Sequence, residues 1–206
     1  MDDVRDLQAL QLDALREVAN IGAGHAATAL GQMTNSRIMI SVPRVTVLRL
    51  EEVADLLGAA DEPIAAVMMH MLGDLTGRTL VIFPVPSAKT LCDILLHRAP
   101  GTTTQFEAME QSGIKEAGNI LSSAYMTALS DFMGMMLLPS VPSLVVDQAG
   151  AVLTTAYLNF GHDRDYVFCV ETEFKFLDSP IQIKGHFLLL PDLASLRAIF
   201  DAIRLT

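Results

Sequence analysis

The feature that most constrains this chain is a polar pattern that it writes twice. Asp13, Glu17, Asn20 and Pro43 are followed, 99 residues later, by Ser112, Glu116, Asn119 and Pro142. The same offset of 99 aligns Ile21 with Ile120, Thr28-Ala29-Leu30 with Thr127-Ala128-Leu129, and Ser41-Val42-Pro43 with Ser140-Val141-Pro142. One polar triplet is an ordinary solvated helix face. A second copy in the same register, closing on the same Ser-Val-Pro, marks an internal duplication. The repeats run over about 1–100 and 101–206, with Ala99 to Thr104 as the linker between them.

Length leaves one large domain or two small ones open. Apolar residues make up 51% of the 206 and mean hydropathy is +0.39, so a substantial core is expected. The formal net charge of −10 repels phosphate backbones and anionic lipid, which argues against nucleic acid and membrane surfaces as partners. No apolar run reaches membrane-spanning length, so no membrane insertion is expected. The acidic start, Met1 to Asp6, lacks the apolar stretch of an export signal, and the cytoplasm is the expected compartment. Cys92 and Cys169 each sit among apolar neighbours and read as reduced core residues. The five histidines are scattered without metal-ligand spacing. Gly22 to Ala27 imitates a dinucleotide-binding glycine motif, but helical rather than strand sequence precedes it.

Apolar spacing predicts a helix over 3–34, in which Gly22 and Gly24 signal close packing or a break. Extended chain follows over 37–50, interrupted at Pro43, then a short helix over 51–57. Strands are expected at 64–71 and 79–83 around a turn at 73–77, then a helix that Ser87 caps and that runs to His97. The second half reuses the plan. It has a helix over 105–133, extended chain through Val145, a short helical segment at 149–158 and a loop at 161–165. A hairpin of 166–176 with 181–190 and a terminal helix over 192–204 complete it.

On a helix, Asp13, Glu17 and Asn20 fall within roughly 60° of arc, as do Ser112, Glu116 and Asn119. Each face offers a carboxylate and a carboxamide. The carboxylate can pair with a lysine on another protein. The amide can donate and accept at once, and so orient a water molecule without titrating. That is positioning chemistry, suited to in-line hydrolysis of a labile phosphoryl group. Asp13 and Glu17 are like charges at i,i+4, an unfavourable pair for a helix alone.

The pattern Asp/Ser-x3-Glu-x2-Asn-x22-Pro at 13–43 and 112–142 resembles that of the CheC/CheX/FliY phosphatase family, over nearly the whole chain. The resemblance implies a single α/β domain of two pseudo-twofold-related repeats over 1–206. Its motif helices would pack outside a shared, mostly antiparallel sheet. It implies hydrolysis of the aspartyl phosphate of a CheY-like response regulator. Glu17 and Glu116 would dock to the regulator's lysine, while Asn20 and Asn119 position the attacking water. Asp13, Ser112, Pro43 and Pro142 support the motif, the prolines by shaping the strand beside the helix. No cofactor is expected in this chain, and Mg2+ is expected on the regulator. The receptor deamidase CheD is a second implied partner. The alternative is a non-catalytic adaptor that binds CheD or the flagellar switch.

Overall fold

The computed structural model describes residues 9–49, 52, 53, 55, 60–158, 166–177 and 181–204. The first half is α1 (Ala9–Thr34), β1 (Ile38–Ile40), β2 (Arg44–Arg49), β3 (Pro63–Gly73), β4 (Gly77–Pro84) and α2 (Val85–Leu95). The second is α3 (Ala108–Met133), β5 (Leu137–Pro139), β6 (Ser143–Gln148), α4 (Ala149–Leu158), β7 (Tyr166–Phe176), β8 (Gln182–Pro191) and α5 (Leu193–Arg204). The offset of 99 carries unchanged from α1 to α3, β1 to β5 and β2 to β6. The expected helical residues before Ala9, most of the expected helix at 51–57 and the loop at 161–165 lie outside the described residues.

All eight strands join one sheet in the order β1/β2–β7–β8–β4–β3–β5/β6, and every pairing is antiparallel. The two halves exchange their edges. β1 and β2 of the first half pair with β7 of the second, Ile38 opposite Phe176 and Arg44 opposite Glu171. β5 and β6 of the second half pair with β3 of the first, Leu137 opposite Gly73 and Ser143 opposite Met68. These are corresponding registers, so a pseudo-twofold axis passes between β4 and β8 at the sheet's centre.

The central strands are apolar on both sides. On one face Ala65, Val67, Val81, Phe83, Phe187 and Leu189 join the large core beneath α1, α2, α3 and α5. On the other, Ile64, Ala66, Leu80, Ile82 and Leu188 pack with Val152 and Leu153 of α4. Burial on both faces removes the alternation that a half-exposed strand would show. Cys92 and Cys169 are free and buried, and burial pushes both thiols up to about 12. That suits packing rather than nucleophilic chemistry.

Two boundaries depart from expectation. Helix α2 starts at Val85, directly after Pro84, with Pro86 in its first turn and no side-chain cap, so Ser87 lies inside the helix. A first-turn proline loses no hydrogen bond, because that turn's N–H groups have no intrahelical acceptor. The same helix ends at Leu95 rather than His97, which takes the left-handed conformation at φ 53°.

The linker is braced. Asp93, 2% exposed, accepts the N–H groups of Gly101 at 2.7 Å and Thr103 at 2.8 Å. Arg98 pairs with the Glu110 carboxylate at the start of α3. Burial alone would raise the Asp93 carboxyl, but donors from Thr103, Gly101 and Thr102 outweigh it and hold it below the usual carboxylate range. The hydrogen-bonded Arg98 guanidinium holds Glu110 low as well.

Two outcomes follow from this architecture. A fragment of residues 1–100 lacks β7, the partner of β1 and β2, and β8, the partner of β4. We propose that 1–206 folds as one unit. The fragment is then expected to melt without a cooperative transition in calorimetry, while the whole chain melts with one. Replacing Asp93 by Ala strands the buried Thr103 N–H and the partly buried Gly101 N–H, and is expected to cost about 2 kcal/mol at pH 7 in urea denaturation. Carboxyls held low contribute stability above their unfolded values near about pH 4 and lose it as pH falls through the folded values. The gap between native and Asp93→Ala chains therefore narrows on acidification below about pH 4.

Candidate functional site

The candidate site is built twice, on the outer faces of α1 and α3. In α1, Leu15, Val18, Ala19, Ala23, Ala26 and Leu30 are buried against the sheet and α3. The opposite arc is left to Asp13, Glu17 and Asn20, all exposed. In α3, Ile114, Ala117 and Leu121 are buried, Ser112 and Glu116 are exposed, and Asn119 is half-buried. Helical periodicity alone sorts the polar triplet outward once the apolar face is seated.

Two glycines set how the helices sit. A Cβ on Gly22 would come within 2.6 Å of the Tyr125 ring, so α1 and α3 meet closely there. A Cβ on Gly118 would come within 2.5 Å of Val67, so α3 lies directly on β3. Gly24 faces open space and helix α1 passes through it unbroken. Of the two sequence readings for Gly22 and Gly24, close packing holds for Gly22 and neither residue breaks the helix. The dinucleotide-like stretch lies wholly inside α1.

Asp13 is not left facing Glu17 without compensation. Its carboxylate accepts from Arg16 Nη1 at 2.7 Å, one turn along. Both partners are more than half exposed, so the pair adds at most about 1 kcal/mol to stability. It does offset the i,i+4 repulsion that the sequence alone implies. In the second copy Ser112 and Lys115 stand at these positions. The side chains of Glu17, Asn20, Glu116 and Asn119 make no hydrogen bond or ion pair to a described residue. Their polar ends are free to engage something else.

Pro43 and Pro142 lie where the edge strands break, between β1 and β2 and between β5 and β6. Lacking an N–H, each stops the ladder. The serine two residues earlier bridges the gap. Ser41 N–H donates to Glu173 O at 3.0 Å, and Glu173 N–H donates to Ser41 Oγ at 3.2 Å. Ser140 N–H donates to His70 O at 3.0 Å, and His70 N–H donates to Ser140 Oγ at 2.9 Å. This brace was readable as the repeated Ser-Val-Pro, although its purpose was not.

Each face thus presents one acid and one neutral amide on a helix fixed from behind. Among the described residues no three His, Cys, Asp or Glu side chains converge as a metal-ligand set. No described helix is long and apolar enough to cross a membrane.

Comparison with known proteins agrees with the duplication. Residues 10–47 and 109–146 each match the CheC-like family, again 99 residues apart. The chain is 35% identical over 195 residues to the CheY-P phosphatase CheC of Bacillus subtilis, covering 94% of this chain and 93% of that one. Its fold resembles the crystal structure of FliY from Thermotoga maritima, with TM-score 0.76, 19% identity and coverage of 97% and 98%. It also resembles a chain of the CheX–CheY–BeF3–Mg2+ complex of Borrelia burgdorferi, with TM-score 0.51, 13% identity and coverage of 84% and 96%. The match to the Bacillus protein runs nearly end to end in both chains, so the chain belongs to the CheC-like family.

Proposed function

We propose that this protein is a phosphatase that accelerates hydrolysis of the aspartyl phosphate on a CheY-like response regulator in the cytoplasm. The observation that carries this reading is the duplicated pair of unengaged side chains, acid and amide, one turn apart on each exposed helix face. The relative that matches almost end to end is a CheY-P phosphatase, and a chain of similar fold occurs in a complex with CheY.

The chemistry follows from what the two groups can do. Glu17 or Glu116 pairs with a lysine beside the regulator's phosphorylation site and fixes the docking angle. Asn20 or Asn119 enters the pocket, where its carbonyl accepts from a water and its NH2 donates to a neighbouring oxygen. The water oxygen is then held in line with the phosphorus. The new P–O bond forms as the bond to the aspartate carboxylate breaks, and the water proton passes to phosphate or solvent. Mg2+ belongs to the regulator, where it steadies the charge on the transferring group. Asp13, held by Arg16, and Ser112 stand one turn before each glutamate.

The protein supplies orientation, so losing the orienting group removes most of the rate. Phosphate release from phosphorylated regulator with Mg2+ is expected to accelerate on adding this chain. In the Asn20→Ala/Asn119→Ala variant the gain should fall about a hundredfold with little change in binding. The adaptor reading, in which the same fold only binds CheD or the flagellar switch, requires unchanged decay with the native chain. That result would replace the phosphatase reading.

A further inference from the structure

Val42 and Val141 are 82% and 88% exposed, the highest values for large apolar side chains among the described residues. They hold the same position in the two copies, inside the Ser-Val-Pro break of each edge strand. An exposed valine taken alone needs no explanation. Two at equivalent places, each locked between a serine brace and a proline, call for one. The brace holds the backbone on one side through Ser41 or Ser140, and the proline fixes φ on the other. Each valine is therefore displayed in a set direction and gives up little freedom when something covers it.

Their place relative to the motif helices follows from the strand. Val45 lines an apolar void together with Leu15, Val18 and Ala19, the turn of α1 whose outer side carries Glu17 and Asn20. Val42 lies three residues before Val45, about 10 Å along an extended chain. Leu144, the counterpart of Val45, packs against the same core in the second half. A typical protein contact covers about 800 Å2 on each partner, a patch roughly 30 Å across. β1 and β2 both lie against α1, and β5 and β6 against α3, so each break sits at the margin of the helix that carries the pair.

Resting on the phosphatase reading above, we infer that Val42 and Val141 are the apolar docking contacts that flank each Glu–Asn pair and rest on the regulator's surface beside its phosphorylation site. Two exposed polar side chains give direction but little affinity, because each gives up water to make its new contact. A fixed apolar group at their margin supplies buried area and keeps bulk water out, leaving the one water that the amide holds. The occupant is the regulator because the contact is continuous with the pair that engages it.

The test separates this inference from the reading it rests on. Affinity is measured for a regulator loaded with beryllofluoride and Mg2+, and steady-state phosphate release is measured alongside. Val42→Thr/Val141→Thr keeps shape and strand preference while making the contact polar. It is expected to raise Kd and KM by up to about tenfold, with kcat within about twofold of native. Val42→Ile/Val141→Ile should stay close to native in both. Unchanged Kd in the threonine variant, or a change only in self-association seen by sedimentation, overturns the inference. If the native chain binds but release is not accelerated, the phosphatase reading fails and Kd still decides the role of the valines. If the native chain does not bind the regulator, both are overturned.

Discussion

Everything in this molecule depends on hydrogen bonds that cross between its two halves. β3–β4 and β7–β8 are two-stranded hairpins, and an isolated hairpin is marginal in water. They meet through β4 and β8, and each then receives its outer neighbour from the other repeat. Edge exchange turns two marginal units into one eight-stranded sheet. It also decides where the motif helices lie. Each leads directly into an edge strand, so strands placed at opposite margins bring α1 and α3 over the same face. The candidate sites are thus products of pairing at the far side of the sequence as much as of the helices that carry them.

Where the two helices meet, the halves stop being alike. α1 offers Gly22 and Ala26 at the positions where α3 has Leu121 and Tyr125. Identical repeats would set like against like at a twofold seam, large on large or small on small. Here Gly22 makes room for the Tyr125 ring, which also stacks on Phe187 at 4.7 Å and bonds through its hydroxyl to Thr172 at 2.9 Å. The seam is filled because the copies differ there, while the Glu–Asn pair is kept in both copies. Packing demanded divergence on one side of each helix and left the other side unconstrained by the fold.

Much of this was legible in the chain before any coordinates. The offset of 99 identifies the repeats and locates both helices. The apolar runs at 64–71 and 79–83 mark strands, and both lie within β3 and β4. The exchange of edges was not legible. The offset between β3 and β7 is no longer 99, and a hydrophobic strand does not advertise which apolar neighbour it will join. Ser87 looked like a cap because serine commonly is one, but proline fixed the helix start two residues earlier. The Asp13–Glu17 repulsion looked unrelieved because the relieving partner, Arg16, sits between them and only the helix brings it round to Asp13. The stretch 99–104 was legible as the linker between the repeats, but its bracing was not. The bonds that brace it come from Asp93 and Glu110, outside that stretch.

The last consequence concerns how firmly each pair is held. Gly118 lets α3 lie against Val67 without a gap, and Asn119 on that helix is half-buried. At the position matching Gly118, α1 has Ala19, which borders an apolar void of about 40 Å3. Such a gap contributes no contacts on the side it faces. Asn20 above it is exposed. The two faces therefore carry the same Glu–Asn pair on unequal foundations. Where orientation supplies most of the catalysis, a side chain with fewer neighbours must give up more freedom to hold a water in line. Under the proposed mechanism, keeping the Glu–Asn pair in both copies does not by itself make the two sites equal in rate. The packing that differs lies behind the helices, at Ala19 in one copy and Gly118 in the other.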